Sequence, residues 1–435
     1  MKTFLFAVGL LASQCVWSQD QAPASTSAPS AQSNAVQQST DDKIKALEER
    51  VIALEGQLRM LQSKQQPAEP AANAAAGPSQ AAPAEPTQVT AASVQQPVYG
   101  GATGQAKALN PDISLIGDFL GAVGHNTARP VPTMEMHETE LGLQAIIDPY
   151  ARADAFISFG EEGVNLEEGY LTFTSLPGGI VARVGKMRAA FGKVNTLHNH
   201  VLPWTDRPLV TENLVGGEDG IDDAGFSIVR GFQGPKGIYL EGTGQLFRGD
   251  SDDLFKSVRR EDVSPVVHLR GYKDITESTN LDIGGSYSRG HNDAGLLLAP
   301  QFHNDFVTNL YGMDATLRWK PLRRSIYHSF VARTELIWSD RQQLPSAQHA
   351  FGMYASGDYQ LGRRWFVGAR YDRSGRSHDA NLTDTGGSLV LTYWPSEFAQ
   401  LRAQYRRTDY VEQKNVNELR LQLQFAMGAH GAHPF

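Results

Sequence analysis

From about residue 110 to its end, this chain alternates apolar and polar side chains over stretches of about ten residues. Near the carboxyl terminus, Leu419, Leu421, Leu423, Phe425 and Met427 alternate with polar residues. Successive side chains of a β-strand point to opposite faces, so each stretch would have one apolar and one polar surface. Repeated stretches of this kind, separated by turn-forming residues, are typical of a transmembrane β-barrel.

The alternation predicts about sixteen strands, and a closed bacterial barrel requires an even number. The strands are expected near residues 112–121, 136–147, 150–159, 165–175, 178–188, 224–232, 237–248, 263–273, 279–289, 307–319, 325–339, 349–361, 364–373, 386–395, 398–409 and 416–427. Tight connections, such as 148–149, 176–178, 320–321 and 362–363, alternate with longer ones, of which 189–223 is the longest. Short periplasmic turns and longer outer loops would place both barrel ends in the periplasm.

A water-soluble β-sandwich or a solenoid is the alternative to a membrane barrel. Aromatic residues at predicted strand ends favour the barrel, because Trp319, Trp338, Tyr393 and Trp394 suit the two membrane interfaces. A repeat of fixed length, which a solenoid would show, is not apparent. We therefore predict an all-β fold, a transmembrane antiparallel barrel over residues 109–435.

The first residues predict export. Lys2 precedes a short apolar stretch, and a cleavage site before Gln19 makes 1–18 a secretory signal peptide, too short for a membrane-spanning helix. Cys15, the single cysteine, lies within it, and Gln14 disfavours a lipoprotein. After it no apolar run reaches eighteen residues, so no transmembrane helix is expected. The formal charge of −8 is spread along the chain, which argues against a nucleic-acid partner.

Three further segments precede the barrel. Residues 19–40 are predicted to be a disordered leader, and 65–108 an Ala/Pro/Gln-rich linker. Between them, 41–64 predict a short periplasmic α-helical coiled coil with apolar residues alternately three and four apart. Its predicted core comprises Ile44, Leu47, Val51, Leu54, Leu58 and Leu61. A homo-oligomer through this coiled coil is expected, either dimer or trimer; the alternative is a lone amphipathic helix packed on another structure.

If the apolar positions face lipid, the alternate positions line the lumen with a mildly basic set of side chains. The predicted lining residues are Arg152, Glu241, His268, Arg270, Arg318, Arg333, Glu335, Arg370, Asp372, Arg402, Arg406 and Arg420. Charged rings set the ion preference of a pore, and arginines favour anions. Acids interleave with these arginines, so both selective anion sites and plain solvated charge stay open.

The longest connection is by strand parity the third outer loop, from which general porins fold a segment into the lumen. We predict that 197–215 is this constriction and that its deletion raises single-channel conductance. His198 and His200 in the loop, with His430 and His433 near the end, are candidate zinc ligands, although parity places the two pairs at opposite ends of the barrel. Phe435, a terminal aromatic residue, is expected to be the signal read by the barrel assembly machinery.

Several segments carry a resemblance to a known family. They are 148–154, 160–163, 167–170, 185–192, 197–200, 206–210 and the ending 428–435. On these residues the chain resembles porin-like outer-membrane proteins related to phosphate-selective porins, sometimes labelled zinc-regulated TonB-dependent outer-membrane receptors. The resemblance covers the barrel but not the first hundred residues. TonB-dependent transporters are 22-stranded barrels with a plug, so a plain porin fits about sixteen strands better.

Together these observations predict an outer-membrane, porin-like channel for passive diffusion of small polar solutes or ions. One alternative is an envelope tether, in which the coiled coil holds a periplasmic partner; another is a metal-related uptake protein. No Gly-x-Ser-x-Gly elbow, His-Glu-x-x-His or phosphate loop is found, so we expect neither an enzyme nor a cofactor. The expected partners are the lipid bilayer and the assembly machinery.

Overall fold

The computed structural model describes residues 111–161, 163–251, 254–295 and 306–428. The predicted signal peptide, leader, coiled coil and linker lie outside the described residues, as do His430, His433 and Phe435. Within the described ranges, no helix has the length and apolar character needed to cross a membrane.

The described residues form sixteen antiparallel strands in a closed barrel. Each strand pairs with its neighbours in the chain, and β1 pairs with β16 through a register that includes Leu120 and Gln422. The strands are β1 (Asp112–Gly124), β2 (Met134–Asp148), β3 (Ala151–Gly160), β4 (Gly163–Leu176), β5 (Ile180–Arg188), β6 (Asp222–Gln233), β7 (Tyr239–Phe247), β8 (Ser264–Thr276), β9 (Thr279–His291), β10 (Val307–Trp319), β11 (Phe330–Arg341), β12 (Gln348–Gln360), β13 (Trp365–Gly375), β14 (Thr383–Ser396), β15 (Ala399–Asp409) and β16 (Val416–Gly428). The predicted strand number and antiparallel order are confirmed.

The two faces of the strands differ as the sequence alternation predicts. In β15, Leu401 and Tyr405 are about half exposed, whereas Arg402, Gln404 and Arg406 are buried. Because the side chains of one strand point alternately outward and inward, the barrel has an apolar outer surface and carries most of its charged strand residues inside.

The connections lie at two rims. Those that follow odd-numbered strands form the loop rim, and those that follow even-numbered strands form the turn rim, at which β1 begins and β16 ends. The expected tight turn at 320–321 is wrong, because β11 begins only at Phe330. Pro321 lacks an amide hydrogen, and Arg324 has a φ of 67°, so this segment cannot continue the strand ladder.

The barrel interior contains an apolar core that the alternation does not predict. The connection 189–221, which we call the inner loop, includes the short helix α1 (Leu209–Leu214) and packs against inward-facing residues of the wall. The core includes Phe191, Leu202, Trp204, Val210, Leu214 and Ile221 of the loop, and Tyr170, Phe247, Val266, Leu310, Ile337, Tyr354 and Val390 of the strands. Apolar strand residues therefore face the inside where the loop covers them.

Candidate pore and its inner loop

The beginning of the inner loop is held by polar side chains of the wall. Glu335 of β11 accepts hydrogen bonds from the amides of Lys193 and Val194, each at 2.7 Å. The Lys193 Nζ donates to Asp282 of β9 at 2.7 Å, and Ser286 accepts the amide of Gly192. Because backbone amides make three of these four contacts, the wall fixes the path of the chain as it turns inward.

Three arginines of β13 and β15, which we call the arginine clamp, hold the centre of the loop. Arg370 and Arg406 contact the same Oδ2 atom of Asp206, at 3.0 and 2.8 Å. Arg402 donates from Nη1 to the carbonyl oxygens of Leu202 and Trp204, at 2.8 and 3.0 Å. Burial would raise the pKa of Asp206, but the arginine charges outweigh it and hold this pKa well below its ordinary value.

The indole of Trp204 packs between the clamp and the apolar core. Its ring meets that of Tyr354 edge to face, with centroids 5.2 Å apart, and the Arg370 guanidinium lies 4.8 Å from its centroid. Further along, the amide of Leu209 at the start of α1 donates to Asp372 of β13. Charged contacts and aromatic packing thus fix the same segment from two sides.

Near β2 and β4, the loop meets a group of six side chains that we call the His–Glu cluster. It comprises His198 and His200 of the inner loop, Glu138 and Glu140 of β2, and Glu167 and Glu168 of β4. His198 Nδ1 lies 2.6 Å from Glu140 and 3.0 Å from Glu167, and its Nε2 lies 3.0 Å from Glu168. His200 Nδ1 lies 3.5 Å from both Glu138 and Glu140.

A β-bulge explains how two consecutive carboxylates enter the interior. Between Phe156 and Ile157 of β3, the register of β4 skips Glu167, so Glu167 is an extra residue on its strand. Glu167 and Glu168 are then both buried, and both contact Arg188 of β5. Strict alternation would have sent one of the two outward.

Burial alone would lower the pKa of His198. The carboxylates of Glu140, Glu167 and Glu168 outweigh this effect, and they raise the pKa of His198 well above its ordinary value. Without another cation in the cluster, this imidazole is therefore held in its protonated form at neutral pH.

A cavity of about 380 Å³ lies between the inner loop and the wall formed by β1, β2, β15 and β16. Its basic lining residues are Arg129, His137, Arg207, Arg406 and Arg420, and its acidic ones are Asp118, Glu135, Asp206, Glu212 and Glu218. The lining thus mixes both signs in nearly equal number. A second cavity, of about 600 Å³, opens among turn-rim connections near Lys320, Arg363 and Glu397.

The predicted lining residues all lie in strands, but they divide into separate groups. Arg370, Asp372, Arg402 and Arg406 contact the centre of the inner loop. Around Lys193 lie Glu241, His268, Arg270, Arg318 and Glu335. Arg152 and Arg333 pair with Asp154 and Asp358, whereas Arg420 faces the 380 Å³ cavity. Most of these charges are therefore matched within the protein.

The structure places His198 and His200 inside the barrel. Strand parity had instead predicted that this loop lies on the outer side of the membrane. Their glutamate partners are not among the residues predicted from the sequence. A His-x-His pair together with the Glu-x-Glu of β2 and the Glu-Glu of β4 was the available signal. The position of the inner loop was needed to bring these segments together.

No protein-family model matches this sequence. A protein of Aquifex aeolicus (strain VF5), described as uncharacterized, is 26% identical over 382 residues, which cover 76% of this chain and 81% of that protein. OprB of Pseudomonas putida superposes with a TM-score of 0.51 at 9% identity, covering 74% of this chain and 95% of that one. An anion-selective porin from Comamonas acidovorans gives 0.50 at 10% identity, covering 73% and 100%. The chain thus shares the barrel fold of these porins.

Proposed function

We propose that the chain is an outer-membrane, porin-like channel through which small polar solutes or ions diffuse passively. The observation that carries this proposal is the charged cavity beside a loop folded into a closed barrel. A loop held across the lumen narrows a pore without filling it when a polar passage is left along the wall. We propose that the cavity along β1, β2, β15 and β16 is such a passage.

The outer surface supports a location in a membrane. Outward-facing residues of neighbouring strands, such as Leu391, Leu401 and Leu423, are each more than two fifths exposed. Trp319 and Tyr393 lie near the turn-rim ends of their strands and Trp338 lies near the loop-rim end, whereas Trp394 lines the 600 Å³ cavity. An apolar band between two aromatic girdles is the surface that lipid-embedded barrels present.

The charges suggest weak ion preference. The arginines that predicted anion selectivity are largely occupied, since Arg370, Arg402 and Arg406 hold the inner loop. The four arginines of the 380 Å³ cavity face five carboxylates. We therefore propose a general channel without strong anion selectivity, and kinship with phosphate-selective porins stays a prediction. The proposal involves no catalytic step.

Single-channel recording in planar bilayers, combined with thiol labelling, tests this route. Cys15 is the chain's single cysteine and lies in the predicted signal peptide, so a cysteine introduced after residue 18 can be labelled selectively. Ala122→Cys lies on the cavity wall, and a bulky anionic thiol reagent there should reduce conductance by at least a third. Leu421→Cys, on the outer face of the neighbouring β16, is the matched control.

We expect stepwise conductance, a small reversal potential in a salt gradient, and a block confined to the Ala122→Cys variant. A folded barrel that never conducts would contradict the proposal. If labelling of Ala122→Cys leaves conductance unchanged, solutes do not pass through this cavity.

A further inference from the structure

We propose that the His–Glu cluster is a binding site for a divalent transition metal of the zinc class, with His198, His200, Glu140 and Glu138 as ligands. The site would join the inner loop to β2. This inference does not depend on conduction, because it concerns only what the cluster binds.

The donor atoms converge within bonding range of one ion. Ligand atoms of Glu140, His198 and His200 all lie within 4.8 Å of one another. His200 Nδ1 lies 3.5 Å from Glu138 Oε1 and 3.5 Å from Glu140 Oε2. Two ligands of a tetrahedral zinc ion, with bonds of about 2.0–2.1 Å, are separated by about 3.3–3.4 Å. These two separations are close to those of a formed site, whereas His198 Nδ1 and Glu140 Oε2, which are 2.6 Å apart, would have to separate when an ion binds.

Two of these donors lack a hydrogen-bond partner within the described part of the chain. They are His200 Nδ1 and Glu138 Oε1, and both point into the cluster. The side chains of His200 and Glu138 are only 8% and 7% exposed. A buried polar atom without a partner costs free energy, and an unplaced ion is one of the few things that explain it. These atoms are the second indication of a ligand, independent of the grouping of charges.

The fixed charges of the cluster leave a deficit of positive charge. Four carboxylates lie near a single guanidinium, that of Arg188, whose Nη2 donates to Glu167 and whose backbone amide donates to Glu168. Neutral imidazoles would leave the group strongly anionic in a buried position, which is unfavourable. Either protons on the histidines or one divalent cation restores the balance, and a metal would displace those protons on binding.

Glu168 supports the ligand role of His198 in particular. It contacts Nε2 at 3.0 Å, while Nδ1 faces Glu140. A metal-bound imidazole commonly donates its other N–H to a carboxylate, which fixes the ring and its tautomer. Two imidazole nitrogens with carboxylate oxygens suit zinc or cobalt better than calcium or magnesium, which prefer oxygen alone.

Cobalt(II) and zinc(II) are suitable probes, because tetrahedral cobalt has a strong visible absorption that zinc displaces without colour. We would titrate cobalt into full-length, chelator-stripped, refolded protein and then displace it with zinc. We expect one equivalent to bind with tetrahedral absorption, and binding at least tenfold weaker in Glu138→Gln and in His200→Asn. Glu168→Gln should weaken it about 10–100-fold through the orientation of His198.

His349→Asn is the matched control, because His349 also contacts a carboxylate, Asp340 at 2.7 Å, but is 74% exposed and lies outside the cluster. It should bind cobalt as the unmodified protein does, as should a variant lacking His430 and His433. Heat-dependent gel mobility would verify that each variant forms a closed barrel.

Absence of tetrahedral cobalt binding in the unmodified protein would overturn the proposal. So would binding that survives Glu138→Gln with His200→Asn, or that is lost with His430 and His433.

Discussion

Asp206 is the residue on which the centre of the inner loop depends most. Its carboxylate meets two guanidinium groups, and Gln404 Nε2 donates to its other oxygen at 2.5 Å. Burying such charges is costly, and mutual pairing offsets that cost only while every partner is present. Removal of its negative charge would break an ion pair of both Arg370 and Arg406, and the Asp372 carboxylate that also contacts Arg370 would be left to balance two buried guanidinium groups.

We predict that Asp206→Asn destabilises the barrel by about 3–5 kcal/mol at pH 7, the usual cost of breaking a buried ion pair. Urea unfolding of the refolded protein in lipid vesicles would measure the change. Asp219→Asn is a suitable control, because this carboxylate belongs to the same loop but is 44% exposed. A loss as small as that of the control would show that the clamp does not hold the loop.

The difference between unmodified protein and Asp206→Asn should also depend on pH. Folding lowers the pKa of Asp206, so its contribution is fully present above the unfolded pKa, about 3.9. It is lost as the pH falls through the lower, folded value. Unfolding measured from pH 7 to pH 3 should therefore show the two proteins converging only below about pH 4, and convergence near pH 6 would contradict this assignment.

At the level of elements, the inner loop behaves as an internal layer of the barrel. Its backbone amides and carbonyls bond to wall side chains at Glu335, Asp372 and Arg402. Its apolar side chains cover inward-facing residues such as Tyr354 and Ile337. The loop can therefore take one defined position, which a constriction of fixed size requires.

We predict that replacing 197–215 with a short Gly-Ser linker raises single-channel conductance severalfold, because the segment lies across the lumen. The same change should lower stability, since wall residues such as Tyr354 lose their apolar cover. Planar-bilayer recording measures the first effect and vesicle unfolding the second. Replacing 257–261, a largely exposed stretch of another loop-rim connection, controls for loop shortening. Equal conductance in the two variants would mean that the inner loop does not limit flow.

The sequence predicts the strands well because their period of two reflects one requirement, an apolar face against lipid. Prediction from the alternation fails where a residue has to meet another requirement. The bulge at Glu167 breaks the alternation, and the apolar residues under the inner loop look like lipid-facing ones. The length and position of 189–221 indicated a constriction, but its contacts join residues about 200 apart, such as Arg402 and Leu202. The spacing of residues along the chain does not predict such contacts.

The barrel as a whole has two distinct apolar surfaces. One is the interior core beneath the inner loop, and the other is the exposed outer band. The inner loop covers the interior core, whereas none of the described residues covers the outer band. Its exposure is understandable only if the surroundings are themselves apolar, which is the basis for placing the barrel in a membrane.

Leu421 of β16 tests that placement, because it is 48% exposed and lies in the middle of its strand. We predict that Leu421→Arg costs about 2–4 kcal/mol, the penalty for a cation near the centre of a bilayer. Phe398→Arg is the control, since Phe398 is 46% exposed but lies at the turn rim between β14 and β15. There, the cost should be at most about 1 kcal/mol, because the cation can reach water. Reversible urea unfolding in phosphatidylcholine vesicles would compare the two, and equal costs would mean that the middle of this face is not embedded in lipid.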